Sequence, residues 1–237
     1  MNKNTYGFTL IELAVAMFII VLLLGSILVP LTTQVEQRQI SDTQRTLEEI
    51  KEALIGFTVT TGYLPCPDTD NDGTENVNVV TGQCSTIAAS ISGGNLPWQT
   101  LGVASADVWG NRFRYVVREQ YARRSPSTPF DLNTTLPNVR VCPTATTCGS
   151  ALTSSAVAAV LSHGKNGYGA TNSLTGAVNS SPPSIHPDEL ENINDDRTVV
   201  SRVQTTAGAA AGEFDDIVTW LPVYILFNRM VTAGKLP

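Results

Sequence analysis

The chain has 237 residues and a net charge of −6. That length allows one generous domain or two small ones beside a membrane segment, and the acidic balance argues against nucleic acid as a partner, because phosphate binding needs clustered cations. The one basic knot, Arg112, Arg114, Arg118, Arg123 and Arg124, falls on strand-like alternation around Phe113, Tyr115 and Val117; it reads as a solvated strand face and following loop ahead of an anion site.

From Leu13 to Val35 run 23 residues without a formal charge. At about 1.5 Å per helical residue this exceeds the roughly 30 Å of bilayer hydrocarbon. A secretory signal would have a shorter apolar core, about 7 to 15 residues, closed by a small-x-small cleavage site, and no A-x-A motif closes this one. The run reads as an anchor with its Lys3-bearing end inside. Glu12 stands near its start. A carboxylate in mid-bilayer costs on the order of 2.5 to 3.5 kcal/mol, less near a helix end, so a partner is expected. No cation follows within the run, which leaves another chain or the protein's own amino terminus to supply it.

MNKNTYG followed by FTLIELAVAMFIIVLLL resembles the leader and mature start of type IV pilins and type II secretion pseudopilins. The resemblance implies that a membrane peptidase cuts between Gly7 and Phe8 on the cytoplasmic side and that Phe8 is N-methylated. Residues 1–7 are then a leader, and residues 8–35 stay on the mature protein as a transmembrane and later filament-core helix. It also implies that Glu12 faces the positive amino terminus of a neighbouring subunit. Such attraction strengthens where water is excluded, and losing one partner leaves a costly buried charge. The implied partners are other pilin or pseudopilin subunits, the prepilin peptidase and methyltransferase, and an inner-membrane platform driven by a cytoplasmic ATPase. The implied location is the bacterial inner membrane, single-pass with the C-terminal domain in the periplasm, and then a periplasmic or extracellular filament. Glu12 argues against the extreme tip subunit, which in secretion pseudopili lacks that residue.

Past Pro30, Ile40, Leu47, Ile50, Leu54 and Phe57 recur on one helical stripe, with Thr43 filling the omitted step. Residues 36–62 are therefore expected to form an amphipathic helix lying on a sheet of the same chain. Gly25 and Pro30 predict a kink or opened segment above it, and Gly62 and Pro65 predict its end. The spacing gives a single helix of about 50 residues.

Residues 63–237 read as a β-rich domain with many turns. Cys66 and Cys84 form one close pair and Cys142 and Cys148 another. Two local disulfides suit the pattern, although three connectivities are possible, and disulfides place the domain outside the cytoplasm. Between the first pair, CPDTDNDGTEN sets Asp68, Asp70 and Asp72 before Gly73 in the order of half a calcium loop. The twelfth loop position is Val79 where a Glu is usual, and Glu75 could substitute. A solvated, disulfide-tied turn explains the same residues.

Farther on, DVWGNRFRYVVRE and SAVAAVLSHG read as strands bounded by turn formers. Their order resembles the major pseudopilin of type II secretion, with D-x-W-G-N at Asp107 to Asn111, S-x-G ending at Gly164, and D-D-I at Asp215. By that resemblance Asp195, Asp196, Asp215 and Asp216 lie where the major pseudopilin binds calcium. The Cys-bounded segments and the tail are additions, which make a minor or specialised subunit as plausible as a main one. In the tail, Pro222 suits a first helical residue and Gly234 a stop, with Val223, Leu226, Phe227 and Met230 on an apolar face.

No G-x-S-x-G, H-E-x-x-H or phosphate loop occurs, and His163 and His186 read as surface or turn residues. The chain is not expected to be an enzyme. The expected fold is α+β and pilin-like: a long N-terminal helix packed on a small antiparallel sheet, disulfide-tied loops, and a short C-terminal helix. The expected function is a structural subunit of a pilus or secretion pseudopilus. The competing class is a single-span, membrane-anchored, extracytoplasmic binding protein that uses calcium.

Overall fold

The computed structural model describes Gly7 and residues 9–85, 92–194 and 196–236, with the backbone alone for residues 24–31 and 92. The chain divides into two units, Met1–Ser41 and Asp42–Pro237. The first consists of the opening of helix α1, which runs Leu10–Thr61. Its Leu- and Ile-rich sequence favours helix, and the assignment is unbroken through Gly25 and Pro30, so the expected opened segment is not there. Leu10, Ile11, Leu13, Val15, Met17 and Phe18 are all exposed. Among the described residues no helix is long and apolar enough to cross a membrane; the apolar run counted in the sequence continues through residues 24–31, whose side chains are not described.

In the second unit the end of α1 buries Thr43, Leu47, Ile50, Leu54 and Thr58, the stripe read from the sequence. Thr219 donates to Glu48 from the sheet side. Gly62, at φ 89°, ends the helix, its N–H bonded to the Thr58 carbonyl; only glycine adopts that backbone freely.

The sheet has six strands: β3 Ser92–Asn95, β4 Arg114–Val117, β5 Val139–Cys142, β6 Thr153–Ser162, β7 Thr198–Val200 and β8 Ile217–Pro222. The order is β3-β4-β6-β5-β7, with β8 also paired to β6. A separate two-stranded ribbon joins β1 Val77–Asn78 to β2 Gln83–Cys84. Strand β6 is the hub. Its residues from Ala156 to Ser162 are buried on both faces, which is why SAVAAVLS is continuously apolar or small rather than alternating. Val139, Ala156, Ala159, Leu161 and Val199 form one packed cluster, with Val218 and Trp220 against it. Edge strand β7 pairs parallel with β5, so the sheet is mixed where an antiparallel one was expected; β7 follows a long excursion after β6, and such a crossover permits parallel pairing.

Three short helices complete the unit: α2 Trp98–Leu101, α3 Pro187–Glu191 and α4 Val223–Thr232. Helix α4 buries Val223, Leu226 and Met230 and half-buries Phe227, as its pattern predicts, but Pro222, expected as its first residue, is instead the last of β8 and stands just before it. Lys235 N–H bonds to the Met230 carbonyl and Gly234 N–H to that of Val231, with Gly234 at φ 68°, the closing motif that lets glycine stop a helix. Cys66 is bonded to Cys84 and Cys142 to Cys148, the local pairings that the spacing suited.

Candidate functional site

Helix α1 opens on a reciprocal cap. The Thr9 hydroxyl accepts the Glu12 N–H at 3.3 Å, while Glu12 Oε2 accepts the Thr9 N–H at 2.9 Å and the Thr9 hydroxyl at 2.8 Å. This is a capping box, which satisfies helix-end donors that would otherwise be orphaned and sets a negative charge at the positive end of the helix dipole. Glu12 therefore has a partner within its own first turn, three residues upstream, where the sequence reading looked only to another chain or the amino terminus. The overlooked signal is T-x-x-E ahead of an apolar run.

A second site lies in the β-rich unit, where three sequence segments meet. Asp107 Oδ1 accepts the N–H groups of Trp109 and Asn111 at 3.0 and 2.9 Å, and its Oδ2 accepts the Ser162 hydroxyl at 2.6 Å. Gly164, at φ 59°, follows Ser162, and a Cβ there would sit 2.4 Å from the Asp215 carbonyl and carboxylate oxygens. The turn after Asp107, the end of β6 and the entry to β8 are thus fastened together.

Beside Gly164, Glu189, Asp215 and Asp216 each bring one carboxylate oxygen to within 4.8 Å of the others. Asn166 supports two of them, giving its N–H to Asp215 Oδ2 and its side-chain amide to Glu189 Oε1, both at 2.8 Å. Asp216 Oδ2 accepts the Asn192 amide at 2.6 Å. Glu189 Oε2 and Asp215 Oδ1 are buried without a hydrogen-bond partner. Burial raises the Asp215 carboxyl to about 7, and the negative Asp216, Glu189 and Glu213 add to it against the Asn166 N–H. Burial likewise raises Glu189. Converging carboxylates with orphaned buried oxygens are a costly arrangement unless a proton or cation joins them. The donor set is all oxygen and irregular, which fits calcium, a hard ion that takes about six to eight oxygen ligands in flexible geometry.

Residues 2–28 match the family model of the prokaryotic N-terminal methylation motif. The chain carries the type IV pilin and pseudopilin signature. No curated protein and no solved structure matches it. Proteins with this signature are made as membrane-anchored precursors and work as structural subunits rather than as catalysts.

The signature covers Gly7, Phe8 and Glu12, although Phe8 lies outside the described residues, as does Asp195. Asp196 does not join the acidic group: it is exposed and its carboxylate accepts the Thr198 N–H at the start of β7. Its place is taken by Glu189, which sits 26 residues before Asp215, where no motif points to it. Glu75 is likewise engaged elsewhere, paired with Arg124 at 2.6 Å and accepting the Cys66 N–H at 3.1 Å.

Asp68, Asp70 and Asp72 do lie together, yet Asp68 is closed on its own loop. Its Oδ1 accepts the N–H groups of Asp70 and Asn71 and its Oδ2 that of Gly73. The Asp72 and Gly73 carbonyls accept from Gln99. The D-x-D-x-D-G order is thus accounted for by a tied turn. His163 and His186 are buried, not superficial: His163 Nδ1 lies 3.6 Å from Asp216 Oδ1, and His186 Nδ1 accepts the Glu213 N–H at 2.7 Å. The arginine knot is spent on internal bonds more than on solvent. Arg112 stacks 3.7 Å over Trp98, Arg114 reaches the Ile193 carbonyl, and Arg123 pairs with Glu119.

Proposed function

We propose that the chain is a structural subunit of a type IV pilus or type II secretion pseudopilus. It is made as a single-pass inner-membrane precursor, cut between Gly7 and Phe8, methylated at Phe8 and polymerised through its N-terminal helix. The observation that carries this reading is the start of α1: within the methylation motif, a Thr9–Glu12 cap opens a stretch whose side chains from Leu10 to Leu23 are exposed all round. A helix apolar all round is stable only in lipid or among other helices. Lipid stores the subunit, and neighbouring helices replace lipid on assembly, where Glu12 adds the amino terminus of a neighbouring Phe8 to its Thr9 donors. Meeting of the Asp107, Ser162–Gly164 and Asp215 segments favours the secretion branch, because their order is the one that resembles the major pseudopilin.

Glu12→Ala is expected to leave membrane insertion intact and to reduce incorporation into filaments about tenfold or more, in line with the cost of an unpaired buried charge. Sheared-filament yield against membrane-fraction yield measures it. Equal incorporation of the alanine protein would remove that role for Glu12.

Calcium is the proposed resident cation of the soluble domain, held by Glu189, Asp215 and Asp216, where it would neutralise three converging carboxylates. Two orphaned buried oxygens favour this group over the Asp68 loop. Thermal melting with calcium against EGTA tests it: the cation-loaded domain should melt higher, since a ligand bound only to the native state stabilises it, and Asp215→Asn should erase the difference. An equal melting temperature in both would refute the cation.

A further inference from the structure

The pattern N-x-[ST] occurs twice in the chain, at Asn133-Thr134-Thr135 and at Asn179-Ser180-Ser181. That order is the acceptor pattern for a saccharide on the asparagine amide, in a surface loop of an exported protein. The folded chain treats the two differently. Asn179 is half-buried, and its Nδ2 donates to Asn111 Oδ1 at 3.2 Å and to the Gly167 carbonyl at 2.9 Å. Its amide joins the turn after Asp107 to the loop after β6, and a saccharide on that nitrogen would displace at least one of the two bonds.

Asn133 is the opposite case. Asp131, Leu132, Asn133 and Thr135 are all exposed, and among the described residues neither the Asn133 amide nor the Thr135 hydroxyl has a hydrogen-bond partner. The backbone beneath them is fixed. Asp131 Oδ1 accepts the Asn133 N–H at 2.9 Å and the Thr134 hydroxyl at 3.1 Å. In return the Thr134 hydroxyl accepts the Asp131 N–H at 2.9 Å, and the Thr134 N–H reaches the Asp131 carbonyl at 3.1 Å. Both feet of the loop are anchored: Phe130 is buried with its ring 4.9 Å from that of Tyr121, Pro137 is buried, and the Tyr121 hydroxyl donates to the Thr135 carbonyl at 3.3 Å. An Asx turn thus holds out a bare amide with a bare hydroxyl two residues after it. Two residues before it stands Asp131 Oδ2, which among the described residues accepts no hydrogen bond.

We propose that Asn133 is a glycosylation site, loaded from a saccharide carried on a polyprenyl pyrophosphate in the membrane. The proposal rests on the export reading above: two disulfides suit an oxidising compartment, away from cytosolic nucleotide sugars, so a donor carried across the bilayer on lipid is the class that reaches the domain. In the transfer, Asn133 Nδ2 attacks the anomeric carbon of the sugar. The N–C bond forms as the bond from that carbon to the pyrophosphate oxygen breaks, the pyrophosphate leaves with the electron pair, and the amide proton passes to a carboxylate of the transferase. An amide nitrogen is a weak nucleophile, because its lone pair is shared with its carbonyl, so the transferase must grip the acceptor. The Thr135 hydroxyl and Asp131 Oδ2 give it a polar handle on either side of the amide, on a turn that is already ordered and so costs little to bind.

Peptide mass mapping of the full chain from its own cells, with the saccharide located by electron-transfer fragmentation, tests this. Trypsin releases residues 125–140 as one peptide, in which Asn133 should carry a saccharide while Asn179 elsewhere stays bare. Asn133→Gln and Thr135→Ala should each lose the modification, Thr135→Ser should keep it, and Asp131→Asn, which retains an oxygen for the turn, should lower its occupancy. Each variant should keep both disulfides, which reports that it is exported and folded. A bare Asn133 in wild-type chain whose cysteines resist alkylation would overturn the glycosylation and leave the export reading standing. A bare Asn133 in chain whose cysteines are alkylated would overturn both. A saccharide on a Ser or Thr of the same peptide, with Asn133 bare, would also overturn the assignment to the amide.

Discussion

Single side chains here are explained by what they must satisfy. Thr9 and Glu12 share the work of closing a helix end, and substitutions at the two separate capping from assembly. Thr9→Ala removes a cap worth about 1 kcal/mol but leaves the carboxylate, so it should lower helix stability near the amino terminus with a smaller loss of filament yield than Glu12→Ala; equal losses would mean that the cap alone matters. Gly164 is a second such position. A Cβ there meets the Asp215 backbone and carboxylate while the backbone stays in the left-handed region, so Gly164→Ala should destabilise the soluble domain by about 2 kcal/mol or more, read by urea unfolding. Both residues were visible in the sequence as letters of a motif, but their physics was not. T-x-x-E was written in the chain, whereas the closeness of Gly164 to Asp215 depends on two segments 51 positions apart meeting at the end of β6.

Elements were legible where a period or a stop residue was strong. The Leu47–Ile50–Leu54 stripe, the Gly62 and Gly234 stops and the buried run of β6 follow from local pattern. The parallel edge strand β7 and helix α3 do not, because α3 has no apolar stripe and its buried face is acidic. Both disulfides were foreseeable from spacing, and they should differ in weight. In the chain-entropy account, replacing Cys66 and Cys84 by Ser, which opens a separation of 18, should cost about 3 kcal/mol, and replacing Cys142 and Cys148, with a separation of 6, about 2 kcal/mol. Denaturant midpoints of the two double variants measure the difference. Helix α4 is joined to the rest through rings: Tyr121 lies 4.9 Å from Phe130 and 6.2 Å from Phe227. Burial pushes the Tyr121 hydroxyl up to about 12. Because this folded value lies above the ordinary one near 10, its contribution to stability is full below pH 10 and is lost as pH rises through 12. The wild-type domain should lose stability between pH 10 and 12, and Tyr121→Phe should lose less.

At the scale of the whole chain, two units meet different demands. The first carries the methylation motif and an apolar helix that water cannot satisfy, and the second carries a disulfide-tied α+β domain with a buried acidic group. Fold class and the amino-terminal device were readable from the sequence, because apolar length, Gly7–Phe8 and Glu12 are contiguous. The acidic group was half readable: Asp215 and Asp216 stand in a recognisable D-D-I, while Glu189 stands in no motif and only the folded chain brings it to them. The central claim, that this is a processed filament subunit, turns on one bond. Intact mass and amino-terminal sequencing of the chain from cells with and without the prepilin peptidase test it most directly. With the peptidase, the account predicts a protein that begins at an N-methylated Phe8, and without it one that keeps residues 1–7. A chain that keeps residues 1–7 in both strains would contradict the account.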